Sequence, residues 1–384
     1  MSMDEPQSIG HLTEPLSAAY PATSNWIYLD SATRGLLPAS ARKNVLDYLD
    51  AHYFARTEAS ETPWANVVRD CVENFARMIG AQAREVGLFS TLSGPVELLS
   101  KVVKKLRGGN IIICPELTRL DIIVFARHFA FLYGFKLVEL RLDGETLFPL
   151  HRLSRMVDDQ TAMVLLPAVS NWRGWRLPSA KIAAICRKQD AFFLVDCSSS
   201  IGIIEIDVAD SAVDGLLVAP RGNALGTQGI CFLFVDALKL SSDPGLKAGF
   251  NSVVPPNLFG QQQHIHFIDL LTAEAALKAI NVCKVSCIEK HACGLAAQLR
   301  LVFEEIGMPL DNPLDASHQS HVVAVGLPSP LIDRLIDPPV LKGLSEKLKS
   351  GRVRFANRRG QLQFGFHLYN RLQDVLDIRR VVTQ

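Results

Sequence analysis

The residues able to do chemistry fall in a few short stretches, each at the end of an apolar run. LLVAPRGNALGTQGICFLFV (216–235) reads as a strand, a Gly-rich loop and a second strand, with Arg221 and Gly222 in the loop. Arg221 offers a fixed positive charge. The loop has no lysine, and none occurs between Lys188 and Lys239, so no amine is there to form an imine with an aldehyde or to carry a proton. AFFLVDCSSS (191–200) ends its apolar run on Asp196, whose carboxylate could hold a cationic ligand group or accept from loop amides. Cys197 and Ser198 are nucleophile candidates without a definable base partner, and Ser199 follows them. NWRGWRLP (171–178) places Asn171, two tryptophans and two arginines on one loop. A reshaped pocket would set Arg173 or Arg176 on an anion and Trp172 or Trp175 against a flat ligand. A packed loop with snorkelling arginines would read the same way in sequence. STLSGPVELL (90–99) puts Ser93 and Gly94 at a helix start, where free N–H groups favour an anion, although Pro95 removes one donor.

Other polar clusters weigh less. Cys283, Cys287, His291 and Cys293 have metal-ligand types, but they lie in a long helical pattern, ALKAINVCKVSCIEKHACGLAAQLRLVFEEI (276–306). One-turn spacing there suits core packing better than a zinc knuckle on a turn, so no metal is expected. QQQHIHF (261–267), with His264 and His266, reads as a polar loop against a partner subunit. The basic run RVRFANRRG (352–360) reads as a solvated strand and turn. Lys247 in PGLKAGF is the lysine outside the loop best placed to reach a pocket.

The elements that must position these residues alternate. Short apolar runs at 85–90, 110–114, 136–140, 161–169, 191–197, 214–220 and 229–235 are separated by helical patterns or, for the last two, by the Gly-rich loop. The runs are continuous rather than alternating, which implies burial on both faces of a parallel sheet. Strand–helix alternation of this kind gives a doubly wound α/β sheet, which binds ligands beyond the carboxyl ends of its strands. The fold class expected is α/β with a mainly parallel seven-stranded sheet and a small C-terminal α/β domain. The expected division is an arm over 1–25, a large domain over 26–245, and a small domain with its connecting loop and helix over 246–384.

With 384 residues and 48% hydrophobic content, the chain can bury a sizeable core. A formal net charge of +1 gives no electrostatic case for nucleic acid or an anionic membrane. No run approaches the roughly 20 apolar residues of a membrane span. The opening MSMDEPQSIG lacks the basic-then-apolar pattern of a signal peptide, so a cytoplasmic protein with eight reduced cysteines is expected.

Several of these stretches together resemble the class V aminotransferases, the cysteine desulfurase-like branch of the fold type I enzymes that use pyridoxal phosphate. YLDSATRGLLP (28–38), FLVDCSSSIGIIEIDVADSAVDGLLV (193–218) and GFHLYNRLQDV (365–375) carry the resemblance over nearly the whole chain. It implies that Asp196 matches the carboxylate at the cofactor's ring nitrogen and Asn171 an asparagine near its phenolic oxygen. His367 and Tyr369 match the C-terminal segment and are read as structural. The same comparison exposes departures. Gly222 falls at the Schiff-base lysine, with Arg221 at the histidine before it and Ala219 at a serine. Val96 falls at a phosphate-cup hydroxyl beside Gly94, and Gln263-His264 at a Gly-Thr pair. Leu117 falls at the ring-stacking residue after Glu116, Ser199 at a common glutamine, and Gln363 at the arginine that grips the substrate carboxylate.

The resemblance implies a homodimer; a heteromer with a related enzyme is the alternative. The departures imply that pyridoxal phosphate, the family cofactor, is absent or held only non-covalently. Ordinary transamination or desulfuration is then not expected. The pocket is expected to take a different small ligand or to do chemistry without the cofactor. A non-catalytic partner of an active relative and an enzyme holding the cofactor without a covalent link are the other two readings.

Overall fold

The computed structural model describes residues 16–55, 64–103, 109–220, 225–240, 265–311, 315–327, 339–358 and 360–383. Seven strands form the central sheet: β2 (Val86–Phe89), β3 (Asn110–Ile113), β4 (Lys136–Glu139), β5 (Thr161–Pro167), β6 (Phe192–Asp196), β7 (Gly215–Val218) and β8 (Cys231–Val235). Their order is β2-β8-β7-β6-β5-β3-β4. The pairs among β3 to β7 are parallel, while β8 runs antiparallel to both β7 and β2.

The continuous apolar runs become strands buried on both faces. Along β5, Val164 and Leu166 enter one core while Met163 and Leu165 enter another on the opposite side. Side chains two apart share a face, so one strand feeds two cores. On the first face, Phe75 of the helix Trp64–Met78 stacks on Phe232 of β8, with centroids 4.2 Å apart. On the second, Phe125 and Phe129 of the helix Leu120–Tyr133 join Ile111, Ile113, Phe192 and Leu194.

The C-terminal unit has an antiparallel sheet ordered β11-β12-β9, from β9 (Val322–Val325), β11 (Ala356–Arg358) and β12 (Gln361–Gly365). The N-terminal strand β1 (Ile27–Tyr28) pairs in parallel with β10 (Val353–Arg354). Residues expected to open the large domain thus hydrogen-bond to the last quarter of the chain, and Asp30 bridges to Gly365 beyond them.

The helical pattern over 276–306 is two helices rather than one. Phe267–Cys283 ends and Val285–Glu305 begins at Lys284, which takes φ 59° and ψ 128°. Position 284 carries no glycine or proline to signal the break. Cys283 is buried, Cys287 is exposed, and His291 Nε2 lies 2.7 Å from the Asn370 carbonyl oxygen. Among the described residues no group of His, Cys, Asp and Glu could hold a metal ion. Nor is any helix among them long and apolar enough to cross a membrane.

Candidate ligand pocket at the carboxyl edge of the sheet

Asp196 is the last residue of β6 and is 2% exposed. Its Oδ1 accepts from the Ser198 amide at 3.0 Å and from the Ser198 hydroxyl at 2.5 Å. The same hydroxyl oxygen accepts from the Ala219 amide at 2.8 Å, just beyond β7. One serine thus ties the loop after β6 to the end of the neighbouring strand. Burial raises the Asp196 pKa; nearby Arg119 and the two Ser198 bonds oppose that rise. The Ser198 hydroxyl is committed at both ends, and burial with the Asp196 charge pushes the Cys197 thiol far up. Neither is poised as a nucleophile, because a nucleophile here would need an accessible, base-activated atom.

The loop after β5 turns the other way, toward the C-terminal unit. The Arg173 guanidinium grips Asp311, with Nε 2.8 Å from Oδ2 and Nη2 2.5 Å from Oδ1, and lies 4.0 Å over the Trp175 ring. Trp175 Nε1 donates to the Asp311 carbonyl at 3.2 Å. Arg176 pairs with Glu289 at 2.5 Å. Trp172 Nε1 donates to the Thr118 carbonyl at 2.9 Å. The anion-binding reading of Arg173 and Arg176 therefore gives way to the packed loop: both charges are matched inside the chain. The stacking reading of Trp175 gives way as well, since the ring is 2% exposed beneath Arg173. Gly174 allows the close approach: it has φ +67°, and a Cβ there would stand 2.7 Å from the Val322 carbonyl oxygen.

Asn171 stays at the edge of this brace, 2% exposed, with Oδ1 lacking a partner among the described residues. Gln363 of β12 donates Nε2 to the Trp172 carbonyl at 2.8 Å and leaves Oε1 without a partner. Ser199 Oγ and Thr118 Oγ1 are likewise buried and unpartnered. Leu117 is fully buried in the core, as a shape-filling residue would be. Beside it, Arg119 is 7% exposed and clamps Asp121 with Nε–Oδ1 3.0 Å and Nη2–Oδ2 2.6 Å. At the helix Ser93–Val102, Gly94 is buried while exposed Ser93 shares a 2.6 Å contact with the Thr91 hydroxyl.

Arg221, Gly222, Lys247 and Gln263-His264 lie outside the described residues. The far end of the loop after β7 is described. Gly226, at φ +74°, lies against the chain at Gly35, where a Cβ would come within 2.4 Å of the Gly35 carbonyl oxygen. The lysines flanking the lysine-free span sit elsewhere. Lys239 pairs with Asp214, just before β7, and Lys188 ends the helix that precedes β6. Both are at the amino ends of the strands, opposite Asp196. Residues missed in the sequence include Arg34, Arg119, His321 and Arg358. Arg358 lies in the run expected to be a solvated strand and turn, yet it is half-buried.

A family model described as aminotransferase class V matches residues 27–328. The chain belongs to that family. A probable mitochondrial cysteine desulfurase of Dictyostelium discoideum is 28% identical over 54% of this class V chain and 47% of its own length. The cysteine desulfurase IscS of Buchnera aphidicola is 28% identical over 55% and 54%. The alignments thus span about half the length of the curated relatives. Among solved structures, the apo cysteine desulfurase of Thermococcus onnurineus NA1 has a TM-score of 0.75 at 19% identity, covering 99% of this chain and 98% of that one. The Escherichia coli cysteine desulfurase CsdA has a TM-score of 0.72 at 16% identity, with 97% and 98% covered. The class V chain therefore has the fold type I architecture, whose family cofactor is pyridoxal phosphate.

Proposed function

We propose that this class V family member has left Schiff-base chemistry and binds a small ligand non-covalently in the ancestral pocket. The observation that carries the reading is the lysine-free span from 189 to 238, which includes the whole strand–loop–strand that should supply the amine. The flanking Lys188 and Lys239 give no substitute, because they lie at the opposite sheet edge. Three further features support it. Asp196, the natural partner for a protonated ring nitrogen, already spends Oδ1 on Ser198. Gln363 stands where a guanidinium should grip a substrate carboxylate, and its amide is bonded to Trp172. Pro95 and Val96 follow Gly94 where a donor and a hydroxyl would cradle phosphate. This residue set does not fit a covalently anchored pyridoxal phosphate, and no reaction step is assigned to one.

The test is direct. Purified protein mixed with pyridoxal phosphate, reduced with borohydride and weighed intact should carry no stoichiometric adduct, and its spectrum should equal the sum of its parts. A single adduct on a lysine, with turnover of an amino acid, would overturn the reading.

The reading includes a homodimer. The helix Ala39–Tyr53 and its end leave Leu46, Leu49, Tyr53 and Phe54 exposed, with Tyr53 at 82%, which suits an interface between copies. Native mass measurement checks it; a monomer at micromolar concentration would count against this part.

A further inference from the structure

β11 and β12 place Ala356 opposite Gln363 and Arg358 opposite Gln361. Opposed residues of an antiparallel pair share a face, and so do residues two apart on one strand. Arg358 and Gln363 therefore look the same way, toward the loop after β5. There the Arg358 guanidinium lies 5.7 Å from the centre of the Trp172 ring, while Gln363 bonds the Trp172 carbonyl.

Among the described residues, the charges facing Arg358 are Asp30, Arg119, Asp121 and Arg34. Asp121 is taken by the Arg119 fork. Among the described residues neither Arg34 nor Arg358 makes an ion pair. Two uncommitted guanidiniums thus face one carboxylate, Asp30, whose own ionisation is opposed by burial. Exposed Arg34 acts on both Arg358 and Asp30, and its neighbour Gly35 packs against Gly226 of the loop after β7. Among the described residues, four buried polar atoms on the surrounding elements have no partner: Asn171 Oδ1 beside Trp172, Thr118 Oγ1 and Gln363 Oε1 on residues bonded to Trp172, and Ser199 Oγ on the loop after β6. All four residues are 3% exposed or less. Buried polar atoms are rarely left unmatched, and an ordered water or a ligand's polar groups would satisfy these.

We propose that Arg358, seconded by Arg34, is a displaced anion clamp that binds the carboxylate or phosphate of a small ligand on the sheet face where the family's arginine would project from position 363. The shift explains how Gln363 is tolerated: the positive charge has moved to the next strand of the same sheet. The proposal rests on the non-covalent reading given above.

Isothermal titration of the full chain with malonate and with inorganic phosphate tests it. The wild type should bind at least one saturably; malonate the tighter marks a carboxylate ligand, phosphate the tighter a phosphorylated one. Arg358→Gln should weaken that binding by at least about tenfold, the loss of one charge-assisted hydrogen bond. Arg354→Gln removes an equal charge from β10, in the other small sheet, where Arg354 stacks on Trp26, and should leave affinity unchanged. The clamp is overturned if neither probe binds saturably, if Arg358→Gln binds as tightly as wild type, or if both variants lose affinity equally. Should Arg358→Gln fail to fold, a salt series on the wild type decides: binding that weakens with ionic strength supports the clamp, and salt-insensitive binding overturns it. A borohydride-reducible adduct with amino-acid turnover sinks the non-covalent reading whatever Arg358→Gln does. Unchanged affinity without an adduct sinks the clamp alone.

Discussion

The loops after β5 and β6 leave the same sheet edge from neighbouring strands and then part company. The first reaches outward: Arg173 and Trp175 seize Asp311, and Arg176 seizes Glu289. The second folds inward, through Asp196, Ser198 and Ala219. The conspicuous loop, with two tryptophans and two arginines, is thus a mechanical brace between the sheet and the C-terminal unit. The plain one, rich in serine, ties the end of β6 to the end of β7. Chemical richness in a sequence therefore does not locate the chemistry; what decides is whether each charge already has a partner inside the chain.

The contrast can be broken at several points. Asp311→Ala should do most damage, because it strands Arg173, which is 15% exposed, without its carboxylate. Breaking one side of a buried pair costs about 3–5 kcal/mol, read from urea unfolding. A loss below about 1 kcal/mol would mean that the brace carries no load, since even exposed pairs reach that much.

His321, fully buried just before β9, probes where the two loops meet. Burial first and then His367 lower its pKa to about 3, against a smaller opposing pull from the Ser199 backbone. The unfolded chain takes that proton near 6.5, so between 6.5 and about 3 the unfolded state binds more protons. Stability should then fall as pH drops through this window, by up to about 1.4 kcal/mol per pH unit, and be unaffected above it. His321→Gln should flatten that part of the profile; an identical slope in both proteins would show that the imidazole is not held neutral.

Ser198→Ala sharpens the inward half. It removes the bond from the Ala219 amide to the Ser198 hydroxyl and one of the two Ser198 bonds to Asp196, a loss of roughly 1–3 kcal/mol in the same assay. Asp196→Asn should change least, within about 1 kcal/mol, because an amide oxygen can still accept from Ser198 and the buried charge is gone. A large loss there would show that the ionised carboxylate itself is required.

The fold was legible because its strands are buried on both faces, and that condition writes itself as unbroken apolar runs such as TAMVLLP and FFLVD. Partnerships were not legible. Nothing near Arg173 in the sequence points to Asp311, and nothing near Arg358 points to Trp172; both contacts depend on how the C-terminal sheet docks. Arg358 could have been found only from the strand register that sets Ala356 opposite Gln363. Ser198 was visible as a hydroxyl, but its role as a strut depends on the end of β7, 21 residues away. The break at Lys284 left no trace because a lysine, with no conformational signature, takes the unusual backbone angles.

The pairing of β1 with β10 has a consequence for how the polypeptide reaches its shape. The first strand is synthesised early but docks on residues made near the end; the Ser31 hydroxyl bonds the Gly365 carbonyl across 334 positions. Contacts of such long separation form late. The nascent chain must therefore keep an unmated strand from sticking to something else until the carboxyl terminus emerges. A protein shortened by a few dozen residues at either end would lose the same seam.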